Sequence, residues 1–453
     1  MTKRRQKRAE PRRRSGTAPS RQNSAPKLVQ IEKAVYGGTF LARVEGKAIF
    51  VPLALPGEEV SVRISEEKRG YSTAEIDKVV TPAAKRIAPR CPHFGVCGGC
   101  QYQHTDYATQ LELKQSILRE TLERGGVHAP ENFTVLAGTE SEAWGYRNRI
   151  RLAVDAQGYP GYRGRRSNTV VAVSECPIAA PLLVRSAIIF AEVARQITPA
   201  LRIDELSLFC DATETALLAT VFVKHAQRET LDWLAQEISL RVPELTGIDF
   251  VAAGDSQDEK LLQRTITRRG EDHLTYAASG FEYRVDHGAF FQINRRLIDA
   301  FVERATANRK GVLAWDLFAG VGLFAHKLTA SFERVIAVES APSAIPGLEA
   351  NLRDTSGSAV HSSALNFLRE TVKNQKPDLI IVDPPRAGLG PEITSALADV
   401  GAPELTYVSC DPATLARDLR ALLATGYSIE SVTLADLFPQ TFHLETVVDL
   451  RRS

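Results

Sequence analysis

Four short apolar runs between residues 311 and 410 each end on a side chain able to do chemistry. "VLAWD" ends on Asp316, "RVIAVE" on Glu339, "DLIIVD" on Asp383 and "LTYVSC" on Cys410. Unbroken apolar runs of this length, rich in β-branched residues, read as strands buried on both faces. Helix-like segments separate them. From about residue 283 onward the pattern therefore predicts a doubly wound parallel sheet. The strands of such a sheet deliver their ends to one edge, and ligands bind there. The sequence thus predicts that Asp316, Glu339, Asp383 and Cys410 surround one ligand.

The turns after those strands narrow the ligand. "DLFAGVGLFA" supplies Gly320-x-Gly322, which lets the backbone approach a ligand, but it has Ala325 where a dinucleotide fingerprint needs a third glycine. Glu339, 23 residues after Asp316, has the spacing of an acid that hydrogen-bonds ribose hydroxyls. A nicotinamide dinucleotide and S-adenosylmethionine both fit; Asp383-Pro384-Pro385 and the short glycine motif favour the methyl donor. Arg386 follows the prolines where amino-group methylation would want an aromatic residue. Ser409 precedes Cys410 where DNA cytosine methylation would want proline.

The rest of the chain adds two modules. Its 453 residues suggest about three domains. Residues 1–28 form a basic, low-complexity tail, expected to be disordered, in which residues 1–27 carry +9 and leave −7 on the rest. That asymmetry suggests contact with a polyanion. No apolar core opens the chain and no run approaches the ~18 residues that span a bilayer, so a cytoplasmic location is expected. Short alternating runs punctuated by Gly37-Gly38, Pro56-Gly57 and Gly70 predict an OB-type β-barrel over 29–83. A central α+β domain is expected over 84–282, with helices over 107–125, 181–196 and 228–241, and a Rossmann-like domain over 283–453. Cys91, Cys97 and Cys100 fall within ten residues, which suggests a metal or cluster. Cys210 lacks a partner and is expected in the core.

"FFQIN", "DLFAGVGLF", "DPPRAGL", "SCDPATLARDL" and "FPQTFHLETV", in this order, resemble the uracil-5 RNA methyltransferase family. The upstream cysteines and the barrel resemble its ribosomal-RNA branch, which has an N-terminal TRAM domain and a [4Fe-4S] cluster. The resemblance covers about residues 29–450. It implies a class I methyltransferase fold, S-adenosylmethionine as donor, and Cys91, Cys97, Cys100 and Cys176 as cluster ligands. Four thiolates also suit zinc, and spacing alone does not choose. The resemblance further implies cofactor-side positions for Gln292, Phe318, Gly320, Gly322, Glu339 and Asp383, with Cys410 as nucleophile and Glu445 as proton-abstracting base. Val321 and Leu323 stand where relatives carry a polar residue.

The chemistry agrees with the residues. Uracil C5 becomes nucleophilic once a thiolate adds to C6, and a base must then remove the C5 proton. Asp411 as N-cap and Pro412 as first helical residue would place Cys410 at a helix N-terminus, whose dipole favours thiolate, while the Asp411 charge opposes it. Burial of Glu445 amid apolar neighbours would raise its pKa; His443 is the rival base. Residues 144–166 hold six arginines and four aromatics, a composition suited to RNA. An extruded uridine in a single strand or loop is expected. The implied partner is ribosomal RNA as the substrate of a monomeric enzyme; transfer RNA as substrate, and a non-catalytic iron–sulfur RNA-binding protein, are the alternatives.

Overall fold

The computed structural model describes residues 25–130, 133–197, 201–224, 226–254, 265–371 and 375–452. The basic tail predicted over 1–28 lies almost wholly outside the described residues. The chain divides into two compact units.

The first unit holds a closed barrel in the order β1-β2-β3-β5-β4, from β1 (Lys27–Val35), β2 (Thr39–Val44), β3 (Lys47–Pro52), β4 (Glu59–Glu67) and β5 (Tyr71–Thr81). Alternate residues point inward, so Val29, Ile31, Phe40, Ala42, Ile49, Val51, Val60 and Val62 are buried. The segment Ala34–Gly38 groups with the second unit.

The second unit, Ala84–Ser453 with that segment, contains α1 (Tyr107–Arg124) and β6 (Thr134–Leu136). A seven-stranded sheet follows, in the order β13-β12-β11-β10-β7-β8-β9. Its strands are β7 (Arg149–Val154), β8 (Pro160–Arg163), β9 (Val170–Ala172), β10 (Arg202–Cys210), β11 (Leu217–Lys224), β12 (Leu245–Ala252) and β13 (Thr265–Gly270). Helices α2 (Pro181–Ala194) and α3 (Arg228–Arg241) cover it, and Cys210 is in their shared core. A hairpin of β14 (His273–Ala278) and β15 (Phe281–Asp286) leads to the last sheet.

That sheet runs β18-β17-β16-β19-β20-β22-β21-β6. Its strands are β16 (Gly311–Leu317), β17 (Phe332–Glu339), β18 (Gly357–His361), β19 (Leu379–Val382), β20 (Glu404–Ser409), β21 (Tyr427–Ala435) and β22 (Glu445–Arg452). β16 to β20 are parallel, as expected for a Rossmann-like domain, and β22 inserts antiparallel beside β20. All four residues of β19 are buried, each contributing about 1.5–3 kcal/mol of hydrophobic stabilisation.

The segment expected to be wholly central is shared between sheets. β6 pairs in parallel with β21, and α1 packs on the helix Pro412–Leu423: a Cβ at Gly125 would lie 2.5 Å from the Ala416 Cβ. Among the described residues no helix is long and apolar enough to cross a membrane.

Candidate active site

The cofactor edge begins where β16 ends. Phe318 and Gly320 both have positive φ, 66° and 56°. The turn brings backbone N–H groups to the edge, and the Gly320 N–H donates to Glu339 Oε2 at 2.8 Å. A Cβ on Gly320 would meet nothing within 4 Å, so the turn faces open space. Gly322, with φ of 87°, has no such room, since its Cβ would come within 2.8 Å of Leu348. Glu339 Oε1 accepts from the Ser340 and Ala341 N–H groups, which fixes the carboxylate at the β17 end. Asp316 is fully buried and accepts from the Ala325 N–H at 2.8 Å. Burial pushes its carboxyl up to about 8, and Asp383 and Glu339 add to the rise. Val321 and Leu323 are buried in the core, so neither offers a polar side chain to a cofactor.

Cys410 follows β20, and Glu445 opens β22. The antiparallel register pairs Ser409 with Thr446, so the next residue on each side, Cys410 and Glu445, are brought together at the strand ends. Asp383 follows β19, the other neighbour of β20. Gln292 Nε2 lies 3.5 Å from Asp383 Oδ2. Asn148 fixes the Gln292 segment, donating from Nδ2 to the Gln292 carbonyl at 2.9 Å.

Asp411 caps the helix Pro412–Leu423 as the sequence predicts, accepting from the Ala413 and Thr414 N–H groups at 2.9 and 3.1 Å. Burial, then Glu445 and Asp383, push Cys410 up to about 12, against the lowering effect of Arg386. Burial raises Asp383 to about 7 and Glu445 well above the carboxylate range, with Asp383 adding to the latter. His443, the rival base, is held down at about 3 by burial and by Arg386, Arg147 and Lys114. Its Nδ1 lies 3.1 Å from an Arg386 guanidinium nitrogen.

Sequence reasoning assigned no site role to two residues here. Tyr36 donates its hydroxyl to the Cys410 carbonyl at 3.3 Å across 374 residues of chain. Arg386, read only as a missing aromatic, is the cation opposing the buried acids.

The four cysteines line a cavity of about 80 Å³ with Arg147, Tyr162, Phe94 and Gln103. The Gly99 N–H donates to Cys97 Sγ at 3.4 Å. Burial raises Cys91, Cys97 and Cys100, the last to about 12, with Arg147 lowering the latter two. Arg147 Nε has no hydrogen-bond partner among the described residues. The stretch 144–166 is accordingly not one solvated RNA face. Tyr146 is fully buried, Arg147 and Tyr162 face the cysteines, and Arg149 lies over the Phe209 ring at 4.2 Å. Arg151 is exposed and pairs with Glu205.

A family described as tRNA (Uracil-5-)-methyltransferase matches residues 106–453, and the TRAM domain matches residues 26–76. The chain belongs to the tRNA (uracil-5-)-methyltransferase family. It is an RNA uracil-C5 methyltransferase with an N-terminal TRAM barrel. A Chromohalobacter salexigens protein named 23S rRNA (uracil(1939)-C(5))-methyltransferase RlmD is 32% identical, covering 97% of this chain and 92% of that protein. An Azoarcus protein of the same name is 31% identical, covering 93% and 99%. Among solved structures, the Pyrococcus abyssi tRNA (uracil-54, C5)-methyltransferase in complex with S-adenosyl-L-homocysteine superposes with a TM-score of 0.76 at 24% identity, covering 93% of this chain and 99% of that one. That likeness shows the shared fold.

Proposed function

We propose that the enzyme forms 5-methyluridine in 23S ribosomal RNA, with Cys410 as covalent nucleophile and Glu445 as proton acceptor. The observation carrying this reading is the pairing of Cys410 with Glu445 at adjacent strand ends, beside Asp383 and Gln292. The Cys410 thiolate bonds to uracil C6, and the C5–C6 electron pair moves into an enolate at O4. C5 then takes the methyl group from the sulfonium of S-adenosylmethionine, which leaves as S-adenosylhomocysteine. Glu445 takes the C5 proton, the double bond re-forms and the C6–sulfur bond breaks. Gln292 and Asp383 face the uracil edge and the donor; Phe318, Gly320, Gly322 and Glu339 hold the donor.

The electrostatics favours using Cys410 and Glu445 in turn. Cys410, Asp383 and Glu445 raise one another or are raised by burial, so neutral pH allows them little negative charge in common. That charge is needed on sulfur for the attack and on Glu445 for proton removal. Adding sulfur to C6 carries the charge into the ring, and the arriving sulfonium methyl neutralises it. Glu445 is then free to ionise. Three buried acidic groups around one point serve a catalyst and would burden a plain binding module, which disfavours the non-catalytic reading.

The cysteines suit a [4Fe-4S] cluster. All four line one cavity with Arg147, and the Arg147 charge and the Gly99 N–H would balance thiolate charge on a bound centre. Such a cluster would tie residues 91–100 to Cys176.

Ribosomal RNA is favoured by the near full-length relatives named for that reaction. Transfer RNA is the second reading, favoured by the family description and the Pyrococcus enzyme's name. The test maps 5-methyluridine in total RNA from a strain lacking the protein, complemented with wild type or Cys410→Ala. Loss of one 23S site restored only by wild type is expected. An unchanged map, or restoration by the alanine variant, overturns the reading.

A further inference from the structure

The stretch leading into Glu445, residues 436–444, touches its own sheet through the Asp436 N–H, which donates to the Leu136 carbonyl at 2.8 Å, and Asn294 and Tyr146 donate to its Leu437 and Pro439 carbonyls. Residues 101–114, in and just before α1, supply most of its remaining hydrogen bonds. The Gln101 and Tyr102 N–H groups both donate to the Gln440 carbonyl at 3.0 Å. Gln110 pairs side chain to side chain with Gln440, donating from Nε2 at 2.9 Å, while its Oε1 accepts from the Gln440 N–H at 2.9 Å. The Phe442 N–H donates to Gln101 Oε1 at 3.3 Å. Deepest is Lys114, whose Nζ donates to Asp436 Oδ1 at 2.5 Å and to the Phe438 carbonyl at 2.9 Å. The Lys114 and Asp436 side chains are both 0% exposed.

A buried ion pair is a weak device for stability, because desolvation offsets the attraction and an apolar pair of similar volume often does as well. It is a strong device for fixing one arrangement, because any slip leaves a charge unpaired in the interior. Lys114 does this for the loop's main chain as well, through the Phe438 carbonyl. α1 also packs against Ala416, on the helix that starts behind the nucleophile. One helix thus touches the supports of both Cys410 and Glu445.

We propose that Gln110 and Lys114 are positioning residues for proton removal, setting where the Glu445 carboxylate lies relative to C5 of the bound ring. The proposal rests on the reading of Glu445 as base. It predicts that loosening the grip slows the step after methyl transfer and leaves attack by Cys410 intact, since the nucleophile is placed by β20 and its own helix.

The test uses the full-length enzyme and the double variant Lys114→Met/Asp436→Leu, which removes both charges and keeps the volume. Thermal midpoint and S-adenosylhomocysteine affinity should match wild type. Turnover should fall roughly 10- to 100-fold, the scale of an ångström-sized misplacement. The covalent protein–RNA adduct should accumulate, as it should in Glu445→Gln. Unchanged turnover, or lost turnover with no adduct, overturns the inference. If Glu445→Gln itself gives no adduct, the base assignment has failed instead. Should the double variant melt early, Gln110→Met decides on the same readouts: adduct with slowed turnover supports the inference, and wild-type turnover overturns it.

Discussion

Replacing Glu445 with Gln should push two steps of the reaction in opposite directions. Glu445 is 4% exposed, and its charge is the second cause, after burial, of a Cys410 thiol pushed up to about 12. Gln keeps the volume and cannot ionise. At pH 9, three units below about 12, wild type holds on the order of one thiolate per thousand. Each unit returned by losing that charge is worth 1.36 kcal/mol, or about tenfold more thiolate. Adduct formation at pH 9 should therefore be faster than in wild type, by about tenfold for one unit. Turnover should fall by about 10²- to 10⁴-fold, the usual contribution of a general base. Single-turnover reactions with labelled RNA, quenched at intervals and run on denaturing gels, read the adduct; steady-state methylation reads turnover. Lost turnover with no adduct would refute Glu445 as base. Adduct forming more slowly than wild type at pH 9 would refute the electrostatic account of the thiol.

Two further outcomes test the surroundings. Asp316 rises from 3.8 to about 8 in the fold, so the folded state binds the extra proton and its stability falls as pH climbs from about 4 toward 8. The loss at pH 7 is at most about 4 kcal/mol, so Asp316→Asn should raise the urea midpoint of the donor-free protein at pH 8 and change little at pH 4; a pH-independent difference would refute the cause. Anaerobically purified protein should carry about four iron and four sulfide per chain, and a chelator should lower its thermal midpoint; bound zinc without iron would refute the cluster reading.

Much of this fold was legible because its signals are local. Strands β16, β17, β19 and β20 carry apolar runs, and each ends on or within one residue of the side chain that reaches the candidate site. Asp411-Pro412 announces a helix start from two residues alone. β18 escaped notice because its pattern, "GSAVH", is half-exposed and lacks an apolar run. β6 escaped because three residues carry no period, and its partner β21 lies about 300 residues away in the chain. Composition misled at 144–166. Arginines with interleaved aromatics read as a polyanion surface, yet Arg147 is spent on the cysteines and Arg149 is stacked on Phe209. Whether an arginine faces water or a buried anion depends on the tertiary partner, which composition does not contain.

The same distinction changes how Cys410 would work as the proposed nucleophile. A cysteine before a helix suggests a thiol ionised by backbone N–H groups. Here Asp411 consumes two of them, at Ala413 and Thr414, so the dipole is spent on the cap. Burial and two carboxylates then keep the thiol protonated, and Arg386 is the one side chain among the causes that works against them. Arg386 is held near the site by the ring of His443, which burial keeps neutral and able to accept a hydrogen bond. A thiol stored in this way is a poor nucleophile toward chance electrophiles and a poor target for oxidation, because both need the thiolate. In the proposed reaction the electrophilic ring would supply what the resting site withholds: with uracil over Cys410, the charge leaving sulfur would have an enolate to occupy. On this argument the pairing of a buried thiol with buried acids makes reactivity conditional on bound substrate, and the helix N-terminus fixes where the sulfur is rather than how acidic it is.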